Sequence, residues 1–186
     1  MSSRLTLISH ASTAAVRASA FPLDEGIEEP GRSAAAALAG RFSSLGLVWS
    51  SPAKRALETS AALNLDVKID SLLRDMDLGR WAGRTFNDVE ATEPNEMLQW
   101  ISDPASTPHG GESVEMLLAR VRSWLEAPER LRGRNAAVTH PAVIRAAIVV
   151  AIEGNPASFW RIDIAPLSIV ELSSNGRRWT LKTITT

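Results

Sequence analysis

Two periodicities alternate along this chain, one near 2 and one near 3.6, and together they predict its elements. Residues 4–9 (RLTLIS) are a short apolar run that reads as a first strand. Residues 31–45, rich in alanine, read as a helix, with Gly46 expected just past its end, where glycine is favoured. Residues 47–50 (LVWS) predict a second strand. It runs into Ser51-Pro52, an N-cap candidate followed by proline, so a helix is expected over residues 53–63. Residues 67–69 are a short strand. Residues 85–107 are polar and interrupted by proline, and predict an irregular excursion with room for one short helix. In residues 112–125, Val114, Leu117, Leu118, Val121 and Leu125 fall on one helical stripe. A strand at 136–139, a helix at 141–153 and strands at 168–172 and 179–183 complete the chain.

Strands that alternate with helices predict the α/β class, a largely parallel sheet with helices on both faces. No repeat, low-complexity tract or linker divides the 186 residues, a length that suits one domain, 1–186. Twenty basic residues against 21 acidic ones leave a net charge of −1, so no global positive field points to nucleic acid or an anionic membrane as partner. With no cysteine, disulfides, thiolate metal sites, iron–sulfur clusters and cysteine nucleophiles are excluded. The apolar run at 146–152 is too short to span a bilayer, and residues 1–8 carry no leader pattern. A soluble, cytoplasmic protein is expected.

The three histidines are unevenly placed. His10 follows the first strand and His140 follows the strand at 136–139, while Arg55 opens the helix after the strand at 47–50. Ligands of open parallel sheets bind at the carboxyl ends of the strands, where helix starts also favour anions. If those three strands are parallel and adjacent, His10, Arg55 and His140 converge on one pocket suited to phosphate. The spacing alone is only a hint, since histidines after strands and arginines in first turns are commonly structural.

Five segments sharpen it. Ser9-His10-Ala11-Ser12-Thr13 is similar to an Arg-His-Gly-x-Thr motif, and residues 50–59 (SSPAKRALET) to Ser-Ser-Pro-x-x-Arg-Ala-x-x-Thr. Residues 73–83 (LRDMDLGRWAG) are similar to Leu-x-Glu-x-x-x-Gly-x-Trp-x-Gly. Gly111-Glu112-Ser113 and the segment from His140 to Arg145 complete the set. In this order, over almost the whole chain, they resemble the histidine phosphatase superfamily, the phosphoglycerate mutase-like proteins. The resemblance implies a three-layer α/β/α sandwich on a mixed, mostly parallel sheet, with the site at the strands' carboxyl ends.

It also implies roles. His10 would attack phosphorus to give a phosphohistidine, with Arg55 and His140 stabilising the oxygens and with no metal and no cofactor. Asp75 stands at the acid/base position, a role that calls for a pKa raised by burial and phosphate charge; Asp77 is a candidate to share it. Thr13 and Ser12 would donate to the phosphate, and Ser9 lies beside it.

Ser9 is the main departure, because the family's arginine there is a planar, doubly donating clamp. Either Arg17 swings in to replace it, or the protein binds phosphorylated ligands without efficient turnover. The expected function is hydrolysis of a small phosphorylated molecule. The alternative is a catalytically impaired phosphate-binding or regulatory protein. A mutase fits less well, since residues 86–108 leave little chain for a water-excluding lid. Trp81 is a candidate site wall, and Glu112 and Arg145 are expected to be structural supports. His109 and the arginines at 130, 132 and 134 are expected on exposed connections.

Overall fold

The computed structural model describes residues 3–42, 44–130 and 132–185. Strands β1 (Ser3–Ser9), β2 (Val48–Ser50), β3 (Lys68–Ile69), β4 (Arg134–Thr139), β5 (Ile169–Ser174) and β6 (Trp179–Thr185) form one sheet in the order β3-β2-β4-β1-β5-β6. Strands β3, β2, β4 and β1 pair in parallel, whereas β5 is antiparallel to β1 and β6 antiparallel to β5. The sheet is therefore mixed and mostly parallel, as expected.

Helices α1 (Ala14–Arg17), α2 (Glu29–Leu38), α3 (Lys54–Ala62), α4 (Phe86–Thr92), α5 (Pro94–Ser102), α6 (Val114–Glu126) and α7 (Pro141–Ala151) connect the strands. Side chains alternate across a strand, so each central strand feeds two cores. Leu5 and Leu7 of β1, Ala137 of β4 and Val170 and Leu172 of β5 pack with Leu117 and Val121 of α6 and with Ile144 and Ile148 of α7. On the opposite face, Ile8, Val138 and Ile169 pack with Ala35 of α2 and with Ala56 and Leu63 on the α3 side. Three layers result. Arg4 is exposed and Thr6 half-buried, so β1 alternates polar and apolar along its first half and is buried on both faces only from Leu7 to Ser9, next to the site.

Several local expectations are corrected. The alanine-rich helix starts earlier and leaves α-geometry at Leu38, passing into a 3-10 turn over Ala39–Phe42 that contains the poor helix former Gly40. Gly46 is therefore no helix cap; its N–H donates to Arg134 O at 2.6 Å. Helix α3 is capped at Ala53, two residues later than expected, and Ser51 Oγ accepts from Ala53 N at 3.2 Å just ahead of the first turn.

The excursion is not irregular but contains two helices, α4 and α5. Thr85 and Asp88 form a capping box at the start of α4, and Pro94 sits in the first turn of α5 as a helix starter, not a breaker. Arg130 is not a solvated connector either. It is buried, paired with Asp70, with its guanidinium 4.5 Å from the centre of the Trp49 ring and 4.9 Å from that of Trp124.

Candidate active site

The register of three adjacent parallel strands places the site. Ser9 of β1 is level with Thr139 of β4, and Ser50 of β2 with Val138. The chain leaves all three strands at one edge, where His10 N donates to Thr139 O at 2.9 Å and Ser51 N to Val138 O at 3.0 Å. The adjacency that the junction argument required is met.

His10 is buried, and its Nδ1 lies 2.8 Å from Ala11 O. A carbonyl oxygen only accepts, so Nδ1 carries the proton and Nε2 holds the free lone pair. Burial, reinforced by the neighbouring His140, pushes the His10 pKa down to about 4. The ring is thus neutral through the physiological range. Its centroid lies 5.2 Å from that of His140, at an edge-on angle.

Asp75 lies in the loop after Ser71–Leu73, a single 3-10 turn. Arg55 Nη2 donates to Asp75 Oδ2 at 2.7 Å, and Arg55 Nη1 to Leu23 O at 2.7 Å. His140 Nδ1 stands 3.2 Å from the same carboxylate oxygen, close enough for charge interaction but outside hydrogen-bond alignment. His140 Nε2 and Ser51 Oγ are 2.7 Å apart, and the same hydroxyl accepts from Ala53 N at 3.2 Å, which ties His140 to the start of α3.

Burial of the Asp75 carboxyl works upward on its pKa. His140, then Arg55 and His10, work downward and outweigh it, so the group lies below the ordinary carboxylate range. Asp75 is thus an ion-paired carboxylate, and the raised pKa expected for its acid/base role would need the charge of a bound phosphate beside it.

Residues outside the cavity hold Asp75 in place. Arg120 of α6 donates to Leu72 O at 2.6 Å and to Arg74 O at 3.0 Å, and it pairs with buried Glu112 at 2.7 Å. Glu112 is a structural support, as expected. Gly79, at φ +50°, and Gly111 let two loops touch, since a Cβ on either would collide with the backbone of the other. Removing one partner of a buried ion pair costs about 3–5 kcal/mol. Arg120→Met is therefore expected to lower unfolding free energy by about 3 kcal/mol and to reduce activity through loosened Asp75. Urea denaturation checks this, and a change below about 1 kcal/mol would contradict it.

A cavity of ≈ 200 Å³ opens beside these groups, lined by His10, Thr13, Asp75, Arg145 and a set of apolar side chains that includes Phe21, Phe86, Trp100 and Trp160. Arg55 and His140 stand behind Asp75 and are not part of this lining. Thr13 Oγ1 accepts from Val16 N at 3.3 Å, and Ser12 is not among the lining residues. Ser9 is fully buried, with no partner for its hydroxyl. Arg17 points away, its guanidinium 3.0 Å from Glu28 and its side chain 70% exposed. Asp77 is a turn residue that accepts from Gly79 N at 2.9 Å.

Trp81 is not the wall; it is buried behind, and its indole donates to Glu93 at 3.0 Å. His109 is buried against Trp81 and Trp100, not exposed. Arg145 is more than a structural support, because it lines the cavity. It shares a helix face with Pro141, four residues earlier, a spacing visible in the sequence. The aromatic wall from α5 and from Pro156–Arg161 had no comparable signal. Among the described residues, no group of three or more His, Asp or Glu is placed to hold a metal ion, and no helix is long and apolar enough to cross a membrane.

A sheet of this topology, with two histidines, an arginine and a carboxylate gathered at its carboxyl edge, defines a phosphoglycerate mutase-like α/β protein. The chain belongs to the histidine phosphatase superfamily (branch 1), which matches it over residues 5–186. It is 33% identical over 153 residues to a bifunctional protein of Mycobacterium tuberculosis, covering 77% of this chain and 42% of that one. The chain thus spans less than half the length of that relative. Phosphoserine phosphatase 1 of Hydrogenobacter thermophilus is 29% identical over 161 residues, covering 81% of this chain and 76% of that one. The solved structure of a mycobacterial glucosyl-3-phosphoglycerate phosphatase superposes with a TM-score of 0.83 at 28% identity, covering 97% of each chain.

Proposed function

We propose that the protein is a metal-independent phosphatase of small phosphomonoesters, acting as one domain over residues 1–186 through a phosphohistidine on His10. The observation that carries this reading is the state of His10: its Nδ1–H is held by Ala11 O and its ring is neutral, so Nε2 is a ready nucleophile beside a carboxylate. The phosphatase names of the relatives support the same reaction class.

In the first step His10 Nε2 attacks phosphorus in line, the N–P bond forms, and the bond to the leaving oxygen breaks. Asp75 gives that oxygen its proton. In the second step water attacks phosphorus, Asp75 takes the water's proton, the N–P bond breaks, and phosphate and neutral His10 are released. A bound phosphate brings negative charge beside Asp75 and competes for Arg55 and His140, and both effects raise the carboxyl's proton affinity.

The serine at position 9 removes a charged donor whose loss typically costs about 10²–10³ in rate. Arg17 is held by Glu28, whereas Arg145 lines the cavity and is the better placed compensating cation. The second reading, a site that binds phosphorylated ligands without efficient turnover, rests on Ser9. Turnover separates the two.

The test is hydrolysis of a simple alkyl phosphate across pH in the presence of a chelator. His10 has a lowered pKa, so its nucleophilic form persists down to about pH 4. Asp75 must carry a proton in the first step, and its lowered pKa makes that form scarcer as pH rises. Expected, therefore, is a kcat/KM that climbs as pH falls from about 7 to about 5 and collapses only below about 4. Because the alkyl phosphate itself loses its second proton at about pH 6, the state of His10 is read directly by NMR titration of its ring, and a midpoint of about 6.5, the ordinary histidine value, would contradict a buried neutral His10. Inhibition by chelator would contradict the metal-free mechanism.

A further inference from the structure

The cavity beside His10 is built mostly of carbon, and we propose that it selects phosphomonoesters of apolar, ring-bearing alcohols over those of polyols and amino acids. The inference rests on the phosphatase reading and names the leaving group that reading left open. Val16, Phe21, Phe86, Trp100, Phe159 and Trp160 form its apolar wall. Trp100 and Trp160 meet edge to face with centroids 4.3 Å apart, and Phe21 meets Trp100 edge-on at 5.8 Å. An apolar cavity of about 150 Å³ accommodates a benzene ring. The ≈ 200 Å³ here therefore has room for one ring.

The polar side chains on the lining are few and already occupied. In the proposed mechanism His10 and Asp75 serve the phosphoryl group and the leaving oxygen, Arg145 is the compensating cation, and Thr13 Oγ1 caps α1 by accepting from Val16 N. Arg145 Nε donates to Ile162 O at 2.7 Å. The indole nitrogens of Trp100 and Trp160 are buried away from the cavity surface, so these rings line it with carbon. A sugar, glycerol or serine leaving group carries hydroxyl or ammonium protons that need acceptors, and this wall has no further acceptor side chain for them. A ring gains carbon contacts and edge-to-face aromatic packing in the same space. The cavity thus differs in chemistry from what the phosphoserine and glucosyl-3-phosphoglycerate names of the relatives describe.

The test compares 2-phenylethyl phosphate with glycerol 1-phosphate and phosphoserine. All three are phosphates of primary alcohols, so the comparison avoids the advantage of a phenol leaving group. Because even a single methylene in an apolar pocket is worth about 10-fold or more, kcat/KM for the phenylethyl ester is expected to be at least about tenfold higher. In Trp160→Ala that ratio is expected to fall toward one. Equal kcat/KM values that all vanish in His10→Ala would overturn apolar selection and leave the phosphatase reading standing. Calorimetry of the unaltered protein with 2-phenylethylphosphonate and 2-hydroxyethylphosphonate gives a readout independent of turnover. At least tenfold tighter binding of the phenylethyl compound supports the inference even in a protein that hydrolyses nothing, an outcome that would sink the phosphatase reading alone. Equal affinities, or no binding of either, would overturn the inference.

Discussion

His10→Ala is expected to reduce hydrolysis of any phosphomonoester by roughly 10⁴-fold or more, because the covalent intermediate of the proposed mechanism forms on its Nε2. The argument is geometric. His10 is the histidine whose Nε2 is left free by a backbone acceptor at Nδ1; His140 Nε2 is occupied by Ser51, and His109 lies among tryptophans. The loss is also expected to be chemical and not structural, since the His10 side chain's hydrogen bond is to its own neighbour, Ala11. Steady-state rates measured beside a thermal melt check both halves. Activity within about tenfold of the unaltered protein would move the nucleophile elsewhere.

Asp75→Asn is the second large effect, and its size should depend on the leaving group. A positioned general acid contributes about 10²–10⁴-fold when the leaving oxygen is basic. Alkyl phosphates are therefore expected to lose activity on that scale. Nitrophenyl phosphate, whose phenolate departs without a proton, is expected to lose about tenfold or less in phosphorylation of the enzyme. Asparagine keeps an oxygen that can accept from Arg55, so the buried guanidinium retains a partner. Single-turnover rates on the two substrates give the comparison. Equal losses on both would assign Asp75 to positioning or binding in place of proton transfer.

The sheet and the convergence of the site were legible because they rest on signals local to the chain. Apolar runs at 4–9 and 136–139 end in His10 and His140, and parallel pairing of adjacent strands does the rest. What stayed hidden depends on contacts between distant segments. Residues 85–107 look like a loop because threonine, aspartate and proline are turn formers, yet here they act as caps and starters of α4 and α5. Trp100 was thereby lost as a wall, and Trp81 was assigned the place it leaves empty. Arg17 looked available because its partner, Glu28, is eleven residues on. The ion pairing of Asp75 was not legible either, because His140 and Arg55, which pull its pKa down, come from two other elements. Arg145 is the one site residue whose helical spacing with Pro141 was readable and not used.

The most direct measurement is a rapid quench of the protein with a phosphorus-labelled substrate, followed by peptide mapping at alkaline pH, where phosphohistidine survives. A labelled protein with the phosphoryl group on the peptide that carries His10, formed and lost at rates matching turnover, is the expected result. Hydrolysis that proceeds at full rate with no covalent label, or with the label on another residue, would contradict the phosphohistidine mechanism at its core.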